Sequence, residues 1–194
     1  MKSGYIAAIL LVGLSLCGAA AVTEIPLSES LANGDFSKPL SQGWATFAGD
    51  IVGDHSVTAT KANGATVLKK MCGTAMLEQD VKLATTNMVF STRARFRCQA
   101  TREPYYATSS ILLGFLDKDG ETLGETRIYA AAGVLPWKAS DRLNLIRASA
   151  AGKWQDYSLN LRDELQANLR GVDPAEVKRL RVSLESFCSG EDAC

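Results

Sequence analysis

The sequence predicts an all-β protein, an antiparallel sandwich or barrel carrying one or two short helical turns. Three observations predict it. Short runs with period-two alternation recur along the chain, and Gly, Asn and Asp clusters separate them. Helical periodicity is confined to one stretch near residue 165. A length of 194 residues suits a single core, which typically organises about 100–200 residues. No repeat, low-complexity tract or Pro/Gly linker divides the chain.

The N-terminus stands apart. MKSGYIAAILLVGLSLCGAAA has a basic tip, an apolar run from Tyr5 to Cys17 and small residues from Gly18 to Ala21. That is the layout of a secretory signal with cleavage after Ala21, because a spanning helix needs about 20 apolar residues and this run is shorter. The expected organisation is a signal peptide over 1–21 and one β-sandwich domain over 22–194. The expected location is secreted, periplasmic or at the cell surface. Leu14-Ser15-Leu16 before Cys17 resembles a bacterial lipobox, but Leu16 is large where that motif takes a small residue, so a lipid anchor at Cys17 is the minor alternative.

The elements follow in order. In NGDFSKPLSQGW (33–44), Phe36 and Trp44 can anchor an irregular segment to the end of the core. Asn33-Gly34 allows a turn, and Gly43 lets Trp44 enter the first regular strand. SVTATK (56–61) and ATVLKKM flank Asn63-Gly64, the dipeptide of a tight hairpin. AMLEQDVKL is the next strand. In NMVFSTRARFRC, Met88, Phe90, Thr92, Ala94, Phe96 and Cys98 share one face, and Arg93, Arg95 and Arg97 share the other. ILLGFL is apolar on both sides, as a central strand would be, and Asp117-Lys118-Asp119-Gly120 turns it into a hairpin. Leu165 and Leu169 make a helix over Arg162 to Arg170 that stops at Gly171, and Asp173-Pro174 opens a second helical turn. WQDYSLNL and RLRVSLESF supply the remaining strands, with Phe187 on the outward face of the last.

Several function classes are disfavoured. Lys+Arg and Asp+Glu each number 21, so the chain lacks the basic field that nucleic acid requires. His55 is the only histidine and no GxSxG motif accompanies it; Asp117 and Asp119 read as turn formers. No catalytic set emerges, and a non-enzyme is expected. Once the leader is removed, Cys72, Cys98, Cys188 and Cys194 remain, an even number that in an exported chain points to disulfides with three pairings open. Cys188 and Cys194 flank a flexible SGEDA loop that can close on itself, which would leave Cys72 with Cys98.

NGDFSKPLSQGW resembles the opening of carbohydrate-binding modules with the galactose-binding-like jelly-roll fold. AMLEQDVKL, MVFSTRARFR, ILLGFLDKDGETLG, WQDYSLNL and RLRVSLES are similar, in order, to that family's later strands. The resemblance spans most of residues 31–188. It implies a jelly roll that binds a glycan or polysaccharide without catalysis, by aromatic stacking and polar side chains. Tyr105, Tyr106 and Trp137 lie in inter-strand loops and are the candidate stacking rings. Arg93, Arg95 and Arg97 are candidates for an acidic glycan, unless Glu78, Asp80 or Glu185 on neighbouring strands pair with them. The resemblance also suggests a structural calcium, for which Asp35 could supply an oxygen, although Ser37 stands where the family carries an acid. The competing expectation is a secreted structural sandwich that contacts a protein partner at the cell surface.

Overall fold

The computed structural model describes residues 25–26, 31–49, 53–60 and 64–190. The leader, Cys17, Asn63 and Cys194 lie outside the described residues. The strands are β1 (Ile25–Pro26), β2 (Ala45–Gly49), β3 (His55–Thr60), β4 (Gly64–Lys69), β5 (Gly73–Lys82), β6 (Met88–Ala94), β7 (Ala107–Leu116), β8 (Thr122–Ala132), β9 (Leu143–Arg147), β10 (Gln155–Asn160) and β11 (Arg179–Cys188). One helix, α1 (Leu161–Asn168), joins β10 to the loop before β11.

The protein is a mostly β sandwich. Six strands form one sheet in the order β2-β5-β11-β7-β8-β9; β1-β6-β10 and the hairpin β3-β4 are the smaller sheets. Pairing is mainly antiparallel, with β8–β9 and β1–β6 parallel. β5 and most of β8 alternate in burial because one face of each is buried against the opposite layer, whereas the more central β7 is buried on both sides along much of its length. Leu77, Leu113, Phe115, Ile128, Leu180 and Val182 of the large sheet share one core with Met88, Phe90 and Phe96 from the β6 side and with Leu161, Leu165 and Leu169 of the helix region. ILLGFL is indeed central, as β7 lies between β11 and β8.

Asn160 caps α1: its Oδ1 accepts from the amides of Arg162 and Asp163, which otherwise have no helical partner. Glu164 of α1 is 4% exposed and points at the inner face of the large sheet. Its Oε1 accepts from Thr126 Oγ1 and Asn144 Nδ2, both at 2.6 Å, and its Oε2 from Asn168 Nδ2 at 2.8 Å. The helix is thereby tied to β8 and β9 by hydrogen bonds as well as by leucines. At Asp173-Pro174 the chain makes only a turn, closed by Glu176 N on Asp173 O, and not a second helix.

The opening motif is a latch. Phe36 stacks on Trp44 with ring centroids 5.4 Å apart, and Trp44 Nε1 donates to Asn33 O. Asn33 holds its own loop through Lys38 and Pro39, at a φ of 54° that asparagine tolerates better than most residues. Gln79 of β5 then clamps the segment, accepting from Ala32 N and donating to the carbonyls of Ala32 and Gly43. Gly43 sits at φ 118°, and a Cβ there would fall 2.7 Å from Ala32 O. Both the conformation and the close approach require glycine.

No disulfide joins Cys72, Cys98 and Cys188 to one another, so the expected Cys72–Cys98 bridge is not formed. Cys72 Sγ lies 3.9 Å from Ser189 O, whereas Cys98 Sγ lies 3.2 Å from Ala130 O. β6 continues Cys98 into the core beside β8, while Cys72 precedes β5 and meets the end of β11. The partner expected for Cys188, Cys194, lies outside the described residues.

Candidate functional site

On β11 the even-numbered residues Leu180, Val182 and Cys188 face the core, so Arg179, Arg181, Ser183, Glu185 and Phe187 face outward. The register carries one outward row across the entire large sheet: Phe47, Met76, Glu185, Ser110, Tyr129 and Arg147, one residue from each strand. Phe47 is 52% exposed at one end. Four strand spacings of about 4.8 Å put Tyr129 roughly 19 Å away. Ser110 is buried beneath longer neighbours and donates to Glu185 Oε2 at 3.2 Å.

Trp137, from the loop after β8, completes the Tyr129 end. Its ring meets that of Tyr129 edge-on at 5.5 Å, and the Arg127 guanidinium lies 4.7 Å from the Trp137 centroid. Arg127 is fixed in turn by Glu125 at 3.2 Å and Glu185 at 3.4 Å. Burial pushes the Glu185 carboxyl above the usual carboxylate range and the Glu125 charge adds to this, while Arg127 and the Ser110 hydroxyl pull it back. The result is a rigid corner of two rings, one cation and two carboxyl groups.

At the far end of the face Tyr106 packs at a tilt against Phe187, with ring centroids 5.5 Å apart, so Phe187 is half-buried rather than an open apolar patch. Tyr106 also lines a shallow groove with Pro104, Leu135 and Pro136, next to Trp137 in the chain. Tyr105 turns elsewhere: Arg102 lies over its ring at 5.5 Å, and Gly190 packs against it.

A charge lattice occupies the other half of the face. Arg181 forks onto Asp80 at 2.7 and 3.0 Å, and Arg179 reaches the same carboxylate at 2.9 Å. The Arg181 hydrogen bond, reinforced by both positive charges, holds Asp80 below the ordinary aspartate range against the opposing effect of burial. A depressed folded pKa contributes stability that is present above the unfolded value near 3.9 and lost as pH falls through the folded value. Asp80→Asn is therefore expected to cost about 1–2 kcal/mol at neutral pH, the half-exposed guanidinium limiting the effect. It should also flatten the decline of stability below about pH 4. Urea titrations of both proteins between pH 2 and 7 check this; parallel curves would contradict it.

Arg93, Arg95 and Arg97 do not share this face. They project from the β6 side of the opposite layer, so Glu78, Asp80 and Glu185 cannot offset them and pair instead with Arg179, Arg181 and Arg127. Arg93 faces Asp156 across the β6–β10 register at 3.8 Å, with both side chains well exposed. Arg93 and Arg95 lie 6.0 and 5.2 Å from the ring centroid of Trp154, which is 48% exposed. Arg97 stands alongside, near Gly152. Trp154 is a surface aromatic that the strand pattern alone did not single out.

Asp35 Oδ1 accepts from Ser37 N, as in an ordinary aspartate turn. Among the described residues no group of three or more His, Cys, Asp or Glu side chains is placed to hold a metal. Calcium takes six to eight oxygens, so this turn does not by itself fit a calcium cage. His55 is exposed at the start of β3.

No protein-family profile matches the chain, and no characterised protein matches its sequence. Distant likeness to solved structures is found. The enzymatically active domain of bacteriophage CBA120 tailspike protein 4 is 11% identical with a TM-score of 0.38, over 84% of this chain and 20% of that one. A structure of carbohydrate-binding modules from the β-sandwich superfamily, described for promiscuous specificity, is 15% identical with a TM-score of 0.37, over 85% and 61%. The family 11 carbohydrate-binding module of Clostridium thermocellum, in complex with a β-1,3-1,4-mixed-linked tetrasaccharide, is 9% identical with a TM-score of 0.33, over 80% and 89%. The chain thus spans a fifth of the first of these and three-fifths of the second. Scores at this level carry no functional argument.

Proposed function

We propose that the chain is an exported, non-catalytic saccharide-binding domain of jelly-roll, galactose-binding-like type. In this proposal residues 1–21 direct export and the outer face of the large sheet takes the glycan. One observation carries the reading: the Tyr129–Trp137 ring pair, with Arg127 fixed beside it, stands on an outward row that runs through Ser110, Glu185 and Met76 to the exposed ring of Phe47. Sugar C–H faces stack on aromatic rings, and fixed polar groups discriminate among hydroxyls. Arg127 is paired with both Glu125 and Glu185, so the corner offers an anionic ligand no uncommitted cation, which suits a neutral polyhydroxylated ligand. Tyr106 and its groove extend the same surface, and Tyr105 supports the loop from which Tyr106 projects.

The Trp154–Arg93–Arg95 platform, with Arg97 beside it, is a second contact face in this reading, selective for carboxylated or sulfated sugars because guanidinium forks onto such anions. Arg93→Ala/Arg95→Ala should weaken binding of acidic oligosaccharides about tenfold, the loss of one charge-assisted contact, and leave neutral ones unchanged. Equal loss on both classes would contradict that division.

The overall test is a glycan-array screen of residues 22–194, with and without calcium. Selective binding of a saccharide class is expected. Silence from a protein shown by circular dichroism to be folded would overturn the proposal. It would favour a protein-binding sandwich, for which Val134, 75% exposed beside Leu135 and Pro136, offers an apolar contact.

A further inference from the structure

Two cysteines that the chain separates by about 90 residues meet in one small apolar cluster. Cys188 is fully buried at the end of β11, opposite Ala107 of β7, which is in turn opposite Ala132 of β8. Cys98, in the segment that continues β6, packs against that Ala107–Cys188 pair together with Ala100. Its Sγ is fixed there 3.2 Å from Ala130 O, while Cys188 Sγ lies 3.3 Å from Lys69 O. Tyr105 packs against the same Ala107–Cys188 pair, and the neighbours Ala100, Ala107 and Ala130 carry only methyl side chains.

We infer that Cys98 and Cys188 form a disulfide that staples the segment following β6 to the end of β11, and so joins the two layers of the sandwich. The inference rests on export, not on saccharide binding. In an oxidising compartment one thiolate attacks an external disulfide such as glutathione disulfide, giving a mixed disulfide and releasing one thiol. The second thiolate displaces the remaining glutathione. The protein loses two protons and two electrons, and the glutathione disulfide takes them up as two thiols. Closing a loop of this length in the unfolded chain is expected to lower its unfolding equilibrium constant by about a thousandfold.

The competing pairings place Cys98 with Cys72 or Cys194, and Cys188 with Cys194 or Cys72. They are separated by peptide mapping of the full chain recovered after export, alkylated without reduction and cut with trypsin and Glu-C. Cleavage isolates Cys72 in peptide 71–78, Cys98 in 98–102, Cys188 in 186–191 and Cys194 in 192–194. The expected result is a species joining 98–102 to 186–191, lighter by two hydrogens than the two peptides together, which reduction splits. Either of peptides 98–102 and 186–191 joined to 71–78 or to 192–194, or alkylated Cys98 and Cys188 in the unreduced sample, would overturn the assignment.

Discussion

Glu164→Ala is expected to lower the unfolding free energy by about 3–5 kcal/mol, among the largest effects of any single polar substitution in this protein. The carboxylate is 4% exposed and receives three hydrogen bonds, from the hydroxyl of Thr126 and the amides of Asn144 and Asn168. Thr126 is fully buried. Removing the acceptor leaves the buried Thr126 hydroxyl and the half-buried Asn144 amide without partners, each at about 1–3 kcal/mol, whereas the exposed Asn168 amide can turn to water. The leucines of α1 stay in place, so the loss falls on the tie between helix, β8 and β9. Glu164→Gln keeps one acceptor oxygen but turns an NH2 group toward donors, and an intermediate loss is expected. Asp163, exposed on the preceding residue, is the control: Asp163→Ala should cost well under 1 kcal/mol. Urea midpoints of the three variants read the series directly. A Glu164→Ala protein as stable as the wild type would show that the buried carboxylate does not hold the layers.

Trp137→Ala should reduce saccharide affinity at least about thirtyfold, the usual consequence of truncating a central aromatic anchor worth about 2 kcal/mol or more. The ring has two roles. It offers a stacking surface beside Tyr129, and it fixes the Arg127 guanidinium through the cation–π contact at 4.7 Å. Because Trp137 is only half-buried on the outer face, its loss should cost the fold about 1–2 kcal/mol and leave the core intact. Trp137→Phe preserves a ring and should recover part of the affinity. Calorimetric titration with an array-selected oligosaccharide, alongside thermal unfolding, separates the two effects. Unchanged affinity in a folded Trp137→Ala protein would remove this corner from the site.

The strands were legible because burial on one face imposes a period of two. Met88, Phe90 and Phe96 against Arg93 and Arg95 is a pattern that only a half-buried strand produces. α1 was legible from Leu165 and Leu169, and the hairpin from Asp117 to Gly120. β9 was not: Leu143–Arg147 is short, half-buried and parallel to its neighbour, so neither alternation nor a turn dipeptide marks it. The candidate site was legible in part. Trp137 and Tyr106 lie on the large sheet's outer surface and its rim. Phe47, Tyr129 and Arg127 were missed because only the register across five strands aligns them. The arginine stripe was correctly read as outward-facing, but its expected carboxylates belong to the other sheet. Sequence spacing fixes which side of a strand a residue takes; it does not say which layer that strand joins.

The most direct test of the proposed saccharide face is a two-dimensional amide and indole NMR titration with a neutral oligosaccharide selected by the array. Shift changes are expected at Phe47, Ser110, Arg127, Tyr129 and the Trp137 indole, extending to Tyr106. Changes confined to the opposite layer, or to the β3-β4 hairpin, would contradict the assignment of the binding face.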